Sequence, residues 1–363
     1  MSVRHRIAVI PGDGIGLETT AEALRVLEQV APAWGLELVL EELPWGCDHY
    51  ARTGRMMAVD GLETLAGFDA IFLGAVGRPD VPDRVSVWEL ILPIRRRFEQ
   101  YVNLRPVRLF EGVDCPLRDR VPADIDFVVV RENNEGEYVD MGGGIYADTP
   151  AEICTQLALF TRAGTERAAR YAYELAGRRG GRLISATKSN GLPYSMPFWD
   201  RVVGELALEY PDVAVDSLHI DALAALFVLH PDRLDVVVAS NLFGDILSDL
   251  GAAISGSIGM GPSANLNPER RHPSMFEPIH GSAPDIAGLG VANPVGQIWS
   301  AAMMLEHLGH PQASTAIVDA IAAVLRVGDV RTPDLGGTAT TTEFTDAILR
   351  ALPSPAGAAV APS

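Results

Sequence analysis

Residues 236–250, VVVASNLFGDILSDL, decide how this chain is read. Val236, Val237 and Val238 are β-branched and apolar, which predicts a short buried strand. Ser240 and Asn241 are helix N-cap types. From there Leu242, Phe243, Ile246, Leu247 and Leu250 recur at helical spacing. Asp245 and Asp249 are four apart and share one face of that helix. Like charges so placed cost about 0.2–0.5 kcal/mol even on an exposed helix. A hard divalent cation reverses the sign, because Mg²⁺ and Mn²⁺ prefer carboxylate oxygen. A solvated acidic face is the competing explanation.

The same strand-then-helix grammar extends upstream. Residues 182–187 read as a strand delivering Lys188-Ser189-Asn190. A strand at 213–218 leads to His219-Ile220-Asp221 and an apolar helix, 222–229. Asp221 thus joins Asp245 and Asp249 as a third candidate carboxylate. Residues 126–131, DFVVVR, form a strand ending in Arg131, followed by ENNEGEY to Tyr138. Strand ends in parallel sheets commonly carry functional side chains. Residues 139–152, VDMGGGIYADTPAE, predict a projecting irregular arm with a short hairpin around the glycines. A helix over about 157–177 follows, with Arg162, Arg167 and Arg170 solvated.

Nearer the N-terminus, a strand at 6–10 enters PGDGIG and a helix over 17–31. Further strands fall at 36–41 and 68–73. The alternation predicts an α/β fold with a largely parallel sheet. The glycine spacing is not GxGxxG, so this is not the Rossmann fingerprint. The turn either admits a phosphate to the backbone or simply needs positive φ. Residues 85–109 hold Arg95 and Arg105, with Arg96, Arg97 and Arg108 nearby. Arginines grip planar carboxylates with two prongs; a helix face paired with Glu89 and Glu99 is the alternative. Residues 255–294 have loop composition throughout and predict a long functional loop whose glycine amides, His280 and Ser282 wrap a cofactor. Helices follow at 295–307 and 314–326, then an irregular tail from Ser354.

Composition narrows the classes. With 363 residues and 48% hydrophobic content, the chain is globular and long enough for two lobes. A net charge of −18 without a long basic block argues against nucleic acid and anionic membrane as partners. Cys47, Cys115 and Cys154 form no CxxC and fit reduced thiols in a cytoplasmic protein. No apolar run reaches the roughly 18 residues of a membrane span. The N-terminal stretch meets Gly and Asp too early for a signal peptide.

Together, GDGIG, the paired arginines, RENNEGEY, TKSN, HIDAL, NLFGDILSDL and EPIHGSAPDIAGLGVANP, in that order, resemble the β-decarboxylating dehydrogenases. These are the isocitrate, isopropylmalate, homoisocitrate and tartrate/D-malate enzymes, and the resemblance covers about residues 5–350. DVPDRVSVW, QYVNLRPVRL and NPERRHPSMFEPIHGSAPDI are similar to the D-malate/tartrate branch. The resemblance implies an isopropylmalate dehydrogenase-like two-domain fold, not a Rossmann fold. The large cofactor domain would comprise 1–100 plus 256–363, the small domain 101–255, and the arm at 139–152 would clasp a twin in a homodimer.

It also implies site residues. Arg95, Arg105 and Arg131 would clamp the substrate carboxylates, with Trp88 filling the pocket beside them. Asp245 and Asp249 would bind Mn²⁺ or Mg²⁺ together with Asp221 of the other subunit, leaving room for a monovalent cation such as K⁺. Lys188, also from the other subunit, would be the general base and Tyr138 the acid. NAD would rest on His280, Gly281, Ser282, Ala283, Asp285 and Asn293, with Asn190 at the nicotinamide. The implied reaction is NAD-linked oxidative decarboxylation of D-malate, with tartrate also accepted. A 3-isopropylmalate dehydrogenase and a catalytically silent nucleotide- or metal-binding homologue are the alternatives. Leu17 replaces the family's usual proline after GDGIG, and Glu89 stands where D-malate relatives tend to have glycine.

Overall fold

The computed structural model describes residues 3–353; the tail expected to be irregular from Ser354 lies outside them. Ten strands form one sheet and two form a hairpin. In chain order the strands are β1 (Val3–Ile10), β2 (Leu36–Glu42), β3 (Ala70–Leu73), β4 (Val102–Arg108), β5 (Asp126–Glu132), β6 (Gly142–Ile145), β7 (Ile153–Gln156), β8 (Arg182–Thr187), β9 (Ala214–His219), β10 (Val236–Ala239), β11 (Pro262–Leu266) and β12 (Ser274–Pro278). The sheet order is β2-β1-β3-β12-β11-β4-β5-β10-β8-β9. Pairing is parallel in both outer thirds and antiparallel where β12, β11, β4 and β5 meet. The α/β architecture with a mixed, largely parallel sheet is as expected.

One half of the sheet is built from residues 3–73 and 262–278, the other from 102–239. Helix Val295–His307 lies against β11 and β12, with its first eleven residues buried. A strand's side chains alternate between faces, so parity identifies what each face carries. Asn103, Arg105, Arg131, Ser263, Asn265 and Glu277 share one face across β4, β5, β11 and β12; Val102, Leu104, Glu132, Ala264 and Leu266 share the other. A buried amide seam joins the halves: Asn103 Nδ2 donates to Ser263 Oγ (2.8 Å) and Asn265 Oδ1 (2.9 Å), and Asn133 Nδ2 donates to Asn265 Oδ1 (2.9 Å).

Three expectations about the elements need correcting. The stretch 255–294 is not a structureless loop, because it supplies β11 and β12 near the sheet centre. The arm is longer than 139–152: β6 pairs with β7, and backbone bonds between Gly136 and Leu159 close its base. The following helix accordingly starts late, at Arg162–Arg178, where Thr161 Oγ1 accepts from Gly164 N. Arg162 and Arg170 are ion-paired, and Arg167 stacks on Tyr101. Of the two readings left open for the PGDGIG turn, the structure supports the tight turn that needs positive φ. A Cβ on Gly12 would lie 2.1 Å from Ala75 O, and one on Gly14 2.1 Å from Ser282 O. Both have positive φ, and Asp13 accepts N–H bonds from Cys47 and Gly77, so the turn is a packing device.

Candidate active site

Arg95, Arg105, Arg131, Tyr138, Asp245, Asp249, His280 and Gly281 line one cavity of about 310 Å³. Its walls come from both halves of the sheet. Arg95 arrives on helix Leu92–Arg97, Arg105 on β4 and Arg131 near the end of β5; all three are buried. Helix Asn241–Ile254 follows β10 and presents Asp245 and Asp249. Ser240 occupies its N-cap position, but its hydroxyl makes no capping bond. Gly244 lets helix and strand approach: a Cβ there would lie 2.6 Å from Arg131 Cβ.

Charge is tightly organised. Asp245 Oδ1 pairs with Arg131 Nη1 and, at 3.3 Å, with Arg105 Nη1. Its Oδ2 accepts from the Tyr138 hydroxyl at 2.8 Å. Burial pushes the Asp245 carboxyl up, but Arg131, Arg105 and the Tyr138 hydroxyl together hold it below the usual range. Asp249, 3.5 Å from Arg105, is instead raised by burial. Burial, then Asp245, push the Tyr138 phenol up, so it carries its proton at neutral pH. Arg131 Nε donates to Asn241 Oδ1 (2.8 Å), fixing the guanidinium from behind.

The sequence reading gave no role to Glu277, in β12. It is buried, lines the cavity, pairs with Arg95 at 2.7 Å and accepts from Asn265 Nδ2 at 2.8 Å. Its only signal was the unexplained acid in FEPIHG. Trp88 does not line the cavity; it lies under the Arg96 guanidinium at 5.0 Å, while Val87 and Ile91 form the wall. Glu89 is exposed and away from the lining. Among the described residues neither Glu89 nor Glu99 is ion-paired with the basic island, because Arg95 turns inward and Arg96 donates to Tyr138 O.

The cofactor residues fall into two groups. His280 Nδ1 lies 3.0 Å from Gly281 O and must donate to it, leaving Nε2 as a buried acceptor without a partner. Burial lowers the His280 pKa, so the ring is neutral. Ser282 is buried against the PGDGIG turn, where its carbonyl accepts from Ile15 N (2.9 Å). Ala283 has φ +39 and Asp285 is exposed. Asn293 is engaged internally, donating to Asp334 (2.9 Å) and accepting from Val295 N (3.0 Å).

Lys188 and Asp221 sit elsewhere. Lys188 Nζ donates to Asp221 Oδ1 at 2.8 Å, holding that carboxyl below its usual range, and neither residue lines the cavity. Asn190 is exposed beside them. Among the described residues no three His, Cys, Asp or Glu side chains converge as a metal site. Asp221 shares an exposed face with Ala222, Ala225, Val228 and Leu229 of helix Ile220–Leu229.

A family model described as isocitrate/isopropylmalate dehydrogenase matches residues 6–348. The chain belongs to this family. Isocitrate/isopropylmalate dehydrogenases are enzymes that in general use NAD(P) and a divalent metal. A D-malate dehydrogenase [decarboxylating] of Escherichia coli (strain K12) is 55% identical, covering 95% of this chain and 98% of that protein. A tartrate dehydrogenase/decarboxylase of Pseudomonas putida is 54% identical, covering 94% and 96%. The crystal structure of isocitrate dehydrogenase from Methylococcus capsulatus superposes with a TM-score of 0.85 at 34% identity, covering 96% and 99%. No helix among the described residues is long and apolar enough to cross a membrane.

Proposed function

We propose that this chain is an NAD- and Mn²⁺- or Mg²⁺-dependent decarboxylating dehydrogenase of D-malate that also accepts tartrate. The observation that carries the reading is the charge balance of the cavity. Three buried arginines face Asp245, Asp249 and Glu277, so protein charge is even. A divalent cation then leaves two positive charges, matching a four-carbon dicarboxylate. The volume of about 310 Å³ and the Val87–Ile91 wall favour a short substrate, and relatives named for D-malate and tartrate support the choice.

In this mechanism Arg95, Arg105 and Arg131 bind the substrate carboxylates and orient C2. Asp245 and Asp249 suit a hard cation by donor type, and Asp221 of a second copy completes the set. A cation held there would lower the pKa of the substrate hydroxyl and would stabilise negative charge on that oxygen. Lys188 of the same second copy would take the hydroxyl proton as C2 is oxidised, with a bound nicotinamide supplying the hydride acceptor. The 2-oxo acid then carries a carboxylate β to its carbonyl, and loss of CO₂ places the electron pair on the enolate. Tyr138, protonated and held by Asp245, returns a proton to carbon to give pyruvate.

The second copy is inferred from two features. Lys188 and Asp221 lie outside the cavity of their own chain. The apolar stripe beside Asp221 and the exposed hairpin residues Met141, Ile145, Tyr146 and Ile153 remain uncovered. A lone two-stranded hairpin is marginal in water, so a homodimer covering both is the natural state. The two halves of the sheet correspond to two lobes, divided near residues 100 and 255. NAD rests on the His280–Asp285 segment, with Asn190 at the nicotinamide. Asp285 repels a 2′-phosphate, so NAD should exceed NADP by at least about tenfold in kcat/KM. The free thiols of Cys47, Cys115 and Cys154 fit a cytoplasmic enzyme.

The test is NADH formation with Mn²⁺ across D-malate, L- and meso-tartrate, D-3-isopropylmalate and isocitrate. D-malate should give the highest kcat/KM, and chelation should abolish turnover. A higher value for isopropylmalate would overturn the substrate assignment. NAD binding without turnover of any diacid would favour the silent homologue.

A further inference from the structure

Glu132 ends β5 directly after Arg131, so the two side chains project from opposite faces of the sheet. Arg131 enters the cavity; Glu132 is buried on the far side, beneath helix Arg162–Arg178. Its carboxylate forms no ion pair among the described residues. Instead Oε1 accepts from Asn134 N (3.0 Å) and Oε2 from Glu135 N (2.8 Å). These are the first turns of chain beyond the sheet, and three residues later they deliver Tyr138 to Asp245. The rest of the turn is anchored at other atoms: Asn133 N to Tyr101 O (3.1 Å), and Asn241 Nδ2 to Glu135 O (3.0 Å). Among the described residues the Asn134 and Glu135 amides have no other acceptor.

We propose that Glu132 is a positioning residue for Tyr138: its buried carboxylate fixes, through the Asn134 and Glu135 amides, the turn that carries the phenol to Asp245. Ionised acceptors make hydrogen bonds about twice as strong as neutral ones, so the charged form holds the turn more firmly. Burial raises the Glu132 pKa to about 7, against the two amide bonds that lower it. The charged groups facing it are few. Glu135 in the turn opposes its ionisation, Arg167 on the overlying helix favours it, and its β4 neighbour Val102 brings no charge. Arg167 is stacked over the Tyr101 ring at 4.5 Å and has a buried Nε without a partner, so its field is not spent on a closer carboxylate. Tyr138 is therefore set in place by a group on the opposite face of the sheet, and that group changes charge near neutral pH.

The proposal rests on Tyr138 acting as the acid in the reaction above, and its test separates the two. In Glu132→Gln the amide can accept one N–H bond, but its NH₂ confronts the other donor, as protonated Glu132 would. The kcat for D-malate at pH 8 should fall at least tenfold with KM within twofold. Retention of kcat, or an equal loss through KM, would overturn the proposal. Amide exchange on wild-type enzyme decides independently of turnover and of how the variant folds. Protection at Asn134 and Glu135, corrected for intrinsic rates, should be several-fold lower at pH 6 than at pH 8. Equal protection would overturn the proposal even if D-malate is turned over.

Discussion

Gly244 shows how little space the site leaves. A methyl group there meets Arg131 Cβ at 2.6 Å, and the strand backbone behind it cannot retreat from the sheet. Gly244→Ala should destabilise by about 1–3 kcal/mol, as overpacking does. It should lower kcat/KM for D-malate at least tenfold by displacing the Arg131 guanidinium proposed to clamp the substrate, read by a thermal melt and steady-state kinetics side by side. Asp245 is a second case. Removing it deletes a proposed cation ligand and also the counter-ion of buried Arg131. Asp245→Asn should abolish metal-dependent turnover and cost about 3–5 kcal/mol of stability by leaving that charge unpaired. Asp249→Asn, farther from Arg131 and more exposed, should lose turnover with little change in denaturation midpoint. Asp245 and Asp249 stood out in the sequence as charges inside an apolar helical run, whereas the roles expected of the three arginines came from the family resemblance, since their pattern alone fits a solvated helix face as well. Glu277 and Glu132 were not legible: a lone acid in a buried strand has no pattern, and its meaning comes from strands distant in sequence.

The helix carrying Arg95 is interrupted at the element scale. Residues Val87–Ile91 form a π-helical turn in which Leu92 N bonds Val87 O. Pro93 accounts for it, since its ring lacks an N–H and crowds the carbonyl four residues back. Val87, Ile91 and Arg95 consequently face the cavity while Trp88 turns outward. The sequence reading placed Trp88 in the pocket because bulk alone does not reveal a shifted helical phase. Ile91→Ala should raise kcat/KM for D-3-isopropylmalate relative to D-malate, whereas Trp88→Ala should leave the ratio unchanged. Strands β11 and β12 were missed for a different reason. PSANL and SMFEP are poor in β-branched residues, and the surrounding Gly, Pro and Asn read as loop. Their strand form is imposed by pairing with β3 and β4. The hairpin was expected around the three glycines, but Gly142, Gly143 and Gly144 form strand β6 itself and the chain reverses over 146–152, with exposed apolar residues left asking for cover. If the hairpin clasps a second copy as proposed, Ile145→Asp combined with Ile153→Asp should shift the sedimenting species from dimer to monomer and remove activity.

At the scale of the molecule, the alternation of strands and helices was readable except at β4, β11 and β12, while a separate unit near residues 101–255 was an implication of the family resemblance rather than of the pattern. The antiparallel centre was not readable, since it depends on strands far apart in sequence meeting. If sites are shared between copies, inactive Lys188→Ala and Asp245→Asn chains should regain activity when exchanged into mixed dimers, each with one intact site; exchange without recovery would exclude sharing. The sheet order has a consequence for solubility as well. A row of ten strands is not closed, and its outermost members, β2 and β9, offer unpaired backbone to any passing strand. β2 carries Glu37, Glu41 and Glu42, the first two tethered to Arg4 and Arg6 of β1, while β9 carries Asp216. A second copy approaching either rim edge-on would set carboxylates against carboxylates on a chain of net charge −18. Charge at the rims thus disfavours stacking, a guard against edge-to-edge aggregation on an open sheet.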